Sequence, residues 1–126
     1  MTGYVGNIEK ETEKNKYFRK VLYTGKYAQL VVMCLQGGEE IGNEVHNDVD
    51  QFFRIEEGAA TFVFNNTEKH HVEEDEAVVV PAGTWHNVLN ASASKPLQLY
   101  TIYSPPEHPD GTIHKTKAEA EAAEHH

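Results

Sequence analysis

The sequence predicts an all-β domain, a sandwich or barrel, followed by one short C-terminal helix. Three observations carry that expectation. Short runs rich in Val, Ile, Leu, Tyr and Phe recur along the chain, turn residues separate them at near-regular spacing, and a helical pattern occurs only at the end. Nothing alternates strand with helix, so a βαβ architecture is excluded.

The elements follow in order. Residues 1–16 are polar and charged, with Tyr4, Val5 and Ile8 to bury, and read as an arm that packs loosely or pairs with a neighbour. Tyr17 to Tyr23 alternates loosely, with Phe18 and Leu22 on one side and Val21 and Tyr23 on the other, until Gly25 breaks it. Ala28 to Leu35 is apolar throughout, which predicts a strand buried on both faces. Ala59 to Phe64 is a further strand, and Asn65-Asn66 after it suits a hairpin turn because Asn tolerates positive φ. Glu68 to Val72 returns as a polar strand, and Ala77 to Val80 is a buried one. Leu97 to Ser104 alternates Leu97, Leu99, Thr101 and Tyr103 against Gln98, Tyr100 and Ile102, and Pro105-Pro106 stops it. The tail is the one helical pattern: Thr116 and Glu119 make a capping box ahead of Lys117 to Glu124, a helix with little to bury. His125 and His126 are assigned no role.

Composition limits function. A chain of 126 residues, 39% hydrophobic and 25% charged, suits one folded domain. A formal net charge of -9 argues against nucleic acid and against an anionic membrane surface. Cys34 is single and lies in an apolar run, so it reads as a buried thiol. No basic-then-apolar leader and no membrane-length apolar run is present, which places the chain in the cytoplasm by expectation.

The chemistry is concentrated in Gly37 to Gly58 and Asp75 to Asn90. Glu44 and His46 are two apart and share a face in extended chain. Gln51 precedes the apolar run Phe52 to Ile55, where Phe53 and Ile55 keep its parity, and His86 follows Pro81-Ala82-Gly83. A carboxylate, an amide oxygen and two imidazoles can each donate a lone pair, so Glu44, His46, Gln51 and His86 are the candidate metal ligands. Such a set carries one divalent ion, Zn, Mn, Fe or Ni, without choosing among them.

These two stretches resemble the paired motifs of the cupin superfamily. Gly38, His46 and Gly58 fit the first motif, with Glu44 in place of its leading His and Gln51 in place of its Glu. Pro81, Gly83, His86 and Asn90 fit the second, with Asp75 in place of its leading Gly. The resemblance implies a double-stranded antiparallel β-barrel, jelly-roll-like, that holds one metal between the motifs. It divides the chain into an N-terminal arm (1–16), a cupin barrel (17–104) and a loop with a helical tail (105–126). It implies a homodimer, a small-molecule ligand or substrate, and either a metal-dependent isomerase or epimerase or a dioxygenase. The same four residue types, in another order, serve as zinc ligands in phosphomannose isomerases, which hints at a sugar-like ligand. The alternatives are a non-catalytic binding module and a vestigial barrel used only as an oligomer.

Other residues carry blander expectations. Arg54, in an apolar strand, needs a partner such as Glu56 or Glu57. Trp85 and Phe52 suit a core or an interface. His70-His71 and the acidic run Glu73 to Glu76 suit an exposed hairpin and turn. The loop from Pro105 to His114 crosses the outside or covers the barrel, which would bring in His108.

Overall fold

The computed structural model describes residues 2–124, and His125 and His126 lie outside the described residues. The elements are α1 (Ile8–Lys14), β1 (Arg19–Thr24), β2 (Gln29–Leu35), β3 (Asp50–Glu57), β4 (Ala60–Phe64), β5 (Glu68–Val72), β6 (Ala77–Val80), β7 (His86–Asn90), β8 (Leu97–Ser104), β9 (Ile113–His114) and α2 (Lys117–Glu124). Two antiparallel sheets face each other, one ordered β6-β3-β8-β2-β1-β9 and the other β5-β4-β7. This is the jelly-roll form of the expected barrel. Among the described residues the ladders do not join the two sheets into a closed ring.

Side-chain alternation builds the interior row by row. Gln51 on β3 pairs with Tyr103 on β8, and Tyr103 with Gln29 on β2. The next inward row is Phe53, Thr101 and Val31, and the one after is Ile55, Leu99 and Met33. Every residue of these rows is buried. The smaller sheet answers with Phe62 and Val88, which pair across β4 and β7. Phe53 and Phe62 meet edge to face at 5.0 Å and join the two layers. The hairpin between β4 and β5 turns on Asn65 (φ 51) and Asn66 (φ 67), as their positive-φ tolerance requires.

Three elements depart from expectation. β6, expected to be buried, leaves Ala77 and Val79 exposed and puts only Val80 in the core. β9 is a short strand inside the stretch expected to be a loop, and the arm is partly helical. The arm contains a second helix, α1, where the sequence showed a helical pattern only in the tail. Asn7 caps it by accepting from the Lys10 amide at 3.0 Å. Its other end is held by tertiary structure: Gln98 Nε2, on the outer side of β8, donates to the carbonyls of Glu13 and Asn15 at 2.8 Å each. Carbonyls at and just beyond the last turn, which lack intrahelical partners, are thus satisfied by the barrel wall. In the tail, Thr116 Oγ1 accepts from the Glu119 amide at 3.2 Å, and Glu119 in turn accepts from the Lys115 amide. Ala120 is the buried residue of α2. No helix among the described residues is long and apolar enough to cross a membrane.

Candidate metal centre

The segment ahead of β3 extends the smaller sheet. Isolated bridges pair Glu40 with Leu89 and Glu44 with His86, so the first motif runs antiparallel to β7. That register puts Glu44 directly opposite His86, and alternation puts His46 on the same face as Glu44. The turn after β6 completes the arrangement. Thr84 N donates to Pro81 O, and Gly83, at φ +82, donates its amide to the His46 carbonyl at 2.9 Å. A side chain at Gly83 would strain that backbone, so the turn that aims His86 needs glycine there.

Glu44, His46 and His86 each offer one ligand atom, and these atoms lie within 4.8 Å of one another. Glu44 Oε1 is 3.3 Å from His46 Nε2 and 3.7 Å from His86 Nε2. The two imidazoles lie 5.6 Å apart between ring centres. Gln51 stands on the adjoining row beside Tyr103, where its Nε2 donates to Thr101 Oγ1 at 2.9 Å. That bond leaves Oε1 as the free atom of the amide.

The hydrogen-bond inventory fits a cation. His46 Nε2, His86 Nε2 and Gln51 Oε1 are buried and have no hydrogen-bond partner among the described residues. Buried polar atoms are rarely left so, because each costs about 1–3 kcal/mol. Two imidazole nitrogens beside a carboxylate are what a divalent ion would satisfy, and Gln51 Oε1 is a further unpartnered donor in the interior. The opposite ring nitrogens are occupied as such an ion requires. His86 Nδ1 lies 2.9 Å from the Thr84 carbonyl, and His46 Nδ1 lies 3.3 Å from Glu107 Oε1. The Thr84 carbonyl can only accept, so it places the proton on His86 Nδ1 and leaves that Nε2 free to ligate, while His46 has a carboxylate 3.3 Å from each ring nitrogen.

Glu107 was not singled out by its sequence. It reaches the centre on the loop between β8 and β9, the stretch read as a crossing or a cover. Gln29, fully buried, ties that loop down. Its Oε1 accepts from the amides of Glu107 and His108 at 3.1 and 3.0 Å, and its Nε2 donates to the His108 carbonyl at 2.7 Å. His108 then packs on Tyr103, with Nε2 3.2 Å from the phenol oxygen.

Charge at the centre follows from these contacts. Burial pushes the Glu44 carboxyl up, but the closeness of His46 and the charges of His46, His86 and Arg19 outweigh it and hold the carboxyl below its ordinary value. His46 is raised above the ordinary imidazole value, chiefly by Glu44 against the pull of burial, with Glu107 adding to the rise. Burial, reinforced by the Arg19 charge, pushes His108 down to about 4. Burial also pushes the Tyr103 phenol well up. At neutral pH Tyr103 is therefore protonated and His108 neutral, and the two share one hydrogen bond.

Other candidates fall elsewhere. Arg54 projects outward and is paired, at 2.8 Å with Glu56 and 3.1 Å with Asp75. His70 and His71 are exposed on the β5 hairpin. Trp85 is 46% exposed, at the surface and not in the core. Asn90 serves the frame: its Nδ2 donates to the Leu35, Gln36 and Lys95 carbonyls, bracing the turn after β7.

An antiparallel jelly roll with a carboxylate and two imidazoles converging inside it defines a cupin. A cupin domain model matches residues 31–103, and the chain belongs to that family. It is 50% identical to uncharacterized protein YrkC of Bacillus subtilis, an alignment covering 96% of this chain and 67% of that one. It is 47% identical to uncharacterized protein L612 of Acanthamoeba polyphaga mimivirus, over 87% of this chain and 70% of the other. The crystal structure of BH2720 from Bacillus halodurans is similar throughout, with a TM-score of 0.91 at 48% identity, covering 94% of this chain and 93% of that one.

Proposed function

We propose that this protein is a small cupin metalloprotein. In this reading it holds one divalent ion on Glu44, His46 and His86, with Gln51 Oε1 as fourth donor, and acts on a small oxygenated molecule, sugar-like or carbonyl-bearing. The observation that carries the reading is the pair of buried, unpartnered nitrogens His46 Nε2 and His86 Nε2, 3.3 and 3.7 Å from the Glu44 carboxylate, with Gln51 Oε1 also buried and unpartnered. A divalent ion bound there would polarise a carbonyl or lower the pKa of a bound water.

The chain's own groups would do the rest. The Thr84 carbonyl fixes His86 in the ligating tautomer, and Glu107 holds His46 at Nδ1. Tyr103 holds a proton at its hydroxyl and His108 is neutral 3.2 Å from it, so the pair can give or take a proton at a neighbouring molecule. A proton acceptor beside a polarised oxygen suits an isomerase or epimerase, and with iron the same ligands suit a dioxygenase. The second reading is a non-catalytic binding module. It is favoured by Gln51, since a fourth protein donor leaves less of the ion open. Pairing of two copies through the outer face, where the Phe52 and Tyr100 rings lie tilted with centres 6.1 Å apart and Val79 is 62% exposed, belongs to the same proposal.

Elemental analysis of natively produced protein, followed by a thermal-shift screen of sugars and oxo acids, tests the reading. One equivalent of zinc or manganese with turnover of a stabilising ligand supports the isomerase, and iron with oxygen uptake supports the dioxygenase. Stabilisation without turnover supports the module. Protein that contains no metal and takes none up on dialysis defeats the proposal.

A further inference from the structure

Arg19 is a buried charge of the barrel wall, and a histidine closes over it. It stands at the start of β1 opposite Met33, whose row continues through Leu99 to Ile55, so it faces the interior. It is 3% exposed, and the arginine ion pairs among the described residues all belong to Arg54. On the other edge of β1, Arg19 pairs in register with His114 of β9. Its Nη1 lies 3.2 Å from His114 Nδ1, and its guanidinium carbon lies 5.3 Å from the centre of the Phe18 ring. Its Nε has no partner.

That contact fixes a protonation state. A guanidinium only donates, so His114 Nδ1 must accept, and the ring is neutral with its proton on Nε2. Protonating the ring would turn the acceptor into a donor and set two cations in contact, away from the water that would screen them. One of the two must then leave. Arg19 is held in a strand paired on both edges. His114 is half-buried, on a strand of two residues. Around it the Val21 amide donates to the Thr112 carbonyl at 2.9 Å, and the Phe18 amide donates to the Lys115 carbonyl at 3.2 Å. Beyond it, α2 has Ala120 as its buried residue. So slight an attachment gives way before β1 does, and its departure opens the uncompensated guanidinium to water.

We infer that the Arg19–His114 contact is a latch: a neutral His114 holds residues 112–124 against β1, and a protonated His114 releases them. The two-sheet body stays folded in both states, and the latch does not depend on the metal reading. The other charges that reach His114 are His108, from the loop between β8 and β9, and Glu119 and Glu124 of α2. The two carboxylates favour the protonated ring, but burial and the Arg19 charge outweigh them and hold His114 below the ordinary imidazole value. A released tail protonates at about 6.5. Below that value the released state binds the extra proton. The latch is therefore full above about 6.5 and is lost as pH falls toward the lower, latched value, by up to about tenfold in population per pH unit.

Amide hydrogen exchange on the full chain, corrected for the intrinsic rate, tests the latch between about pH 7 and pH 5. The Phe18 and Val21 amides, which donate to the tail, are expected to lose protection about fivefold or more over that range. The amides of β3 and β8, strands paired on both edges, are expected to keep theirs. His114→Gln still offers Arg19 an acceptor but does not titrate, so its Phe18 and Val21 protection should hold level. Arg19→Met lets His114 protonate against no cation and should flatten the profile too, so either variant serves if the other fails to fold. Level protection at Phe18 and Val21 in the native protein overturns the proposal. So does a loss shared equally by β3 and β8, or one that persists undiminished in His114→Gln or Arg19→Met.

Discussion

A glutamate stands two residues from a histidine both inside this protein and on its surface, and the two settings come out differently. At Glu44 and His46 the pair is turned inward and meets His86 from the opposite strand. At Glu68 and His70 the same spacing gives an exposed pair, 2.6 Å apart, that satisfies itself, and His71 does likewise with Glu73 at 3.3 Å. Spacing supplies a pair in both. What separates them is a third donor across the sheet and a wall that removes water, leaving the inner nitrogens without partners while the outer ones are solvated. Exposed pairs of this kind are worth about 0–1 kcal/mol.

The comparison can be broken in four ways, taken from the largest expected effect. Changing His46 and His86 together to Ala should abolish metal binding, a loss beyond the roughly 10–100-fold typical of losing an outer partner. Changing His70 and His71 to Ala should leave metal content as it was, and elemental analysis of both proteins decides whether the inner cluster alone is the site. Loss of metal from the surface variant would reverse the assignment.

The second concerns protons. The unfolded chain protonates His108 at about 6.5, whereas the folded one does so only at about 4. Between these values the unfolded state binds more protons, so the His108 contribution to stability is full above the upper value and is lost as pH falls through the window. The loss amounts to at most about 3 kcal/mol. Urea unfolding of native and His108→Asn protein from pH 7 to pH 4 should show a steeper decline for the native, and parallel curves would remove His108 from the interior. His46, raised in the folded state, acts in the opposite sense and in a higher window. Its protonated form stabilises the metal-free protein below about 6.5, and that contribution is lost as pH rises through its folded value. Metal must displace that proton, so affinity should increase with pH.

Third, Glu107→Gln should weaken metal affinity about 10–100-fold by loosening the His46 ring, with the fold intact. A matching Glu73→Gln change on the hairpin should have no effect on metal, which competition with a chelator would measure. The smallest effect is on stability. Removing His70 or His71 should shift unfolding free energy by no more than about 0.5 kcal/mol.

Much of the fold and part of the centre could be read from residues alone, for local reasons. Strand runs such as Leu97 to Ser104 carry their own alternation, and Asn65-Asn66 carries its own turn. Glu44, His46 and His86 were identifiable because parity and the Pro-Ala-Gly turn are short-range features. Asp75, where the family motif has glycine, sits at φ 68, a conformation that Asp tolerates, so the departure keeps the backbone that the motif needs. What was hidden is long-range. Glu107 meets His46 only because Gln29, on a different strand, fixes the loop. Arg19 looked like one member of a loosely alternating strand, and its lack of a counter-charge is visible only once the wall is built. The polar helix α1 has no apolar stripe to announce it, since the barrel and not its own sequence secures its last turn.

That last attachment reaches further than the helix. Cys34 pairs in register with Gln98 on the outer side of the sheet, and burial pushes its thiol up, which keeps it inert. Trimming the chain to begin at residue 17 would strip the Gln98 amide of its acceptors and bare the sulfur beside it. Alkylation of that single thiol is therefore a gauge of whether the amino-terminal segment is docked.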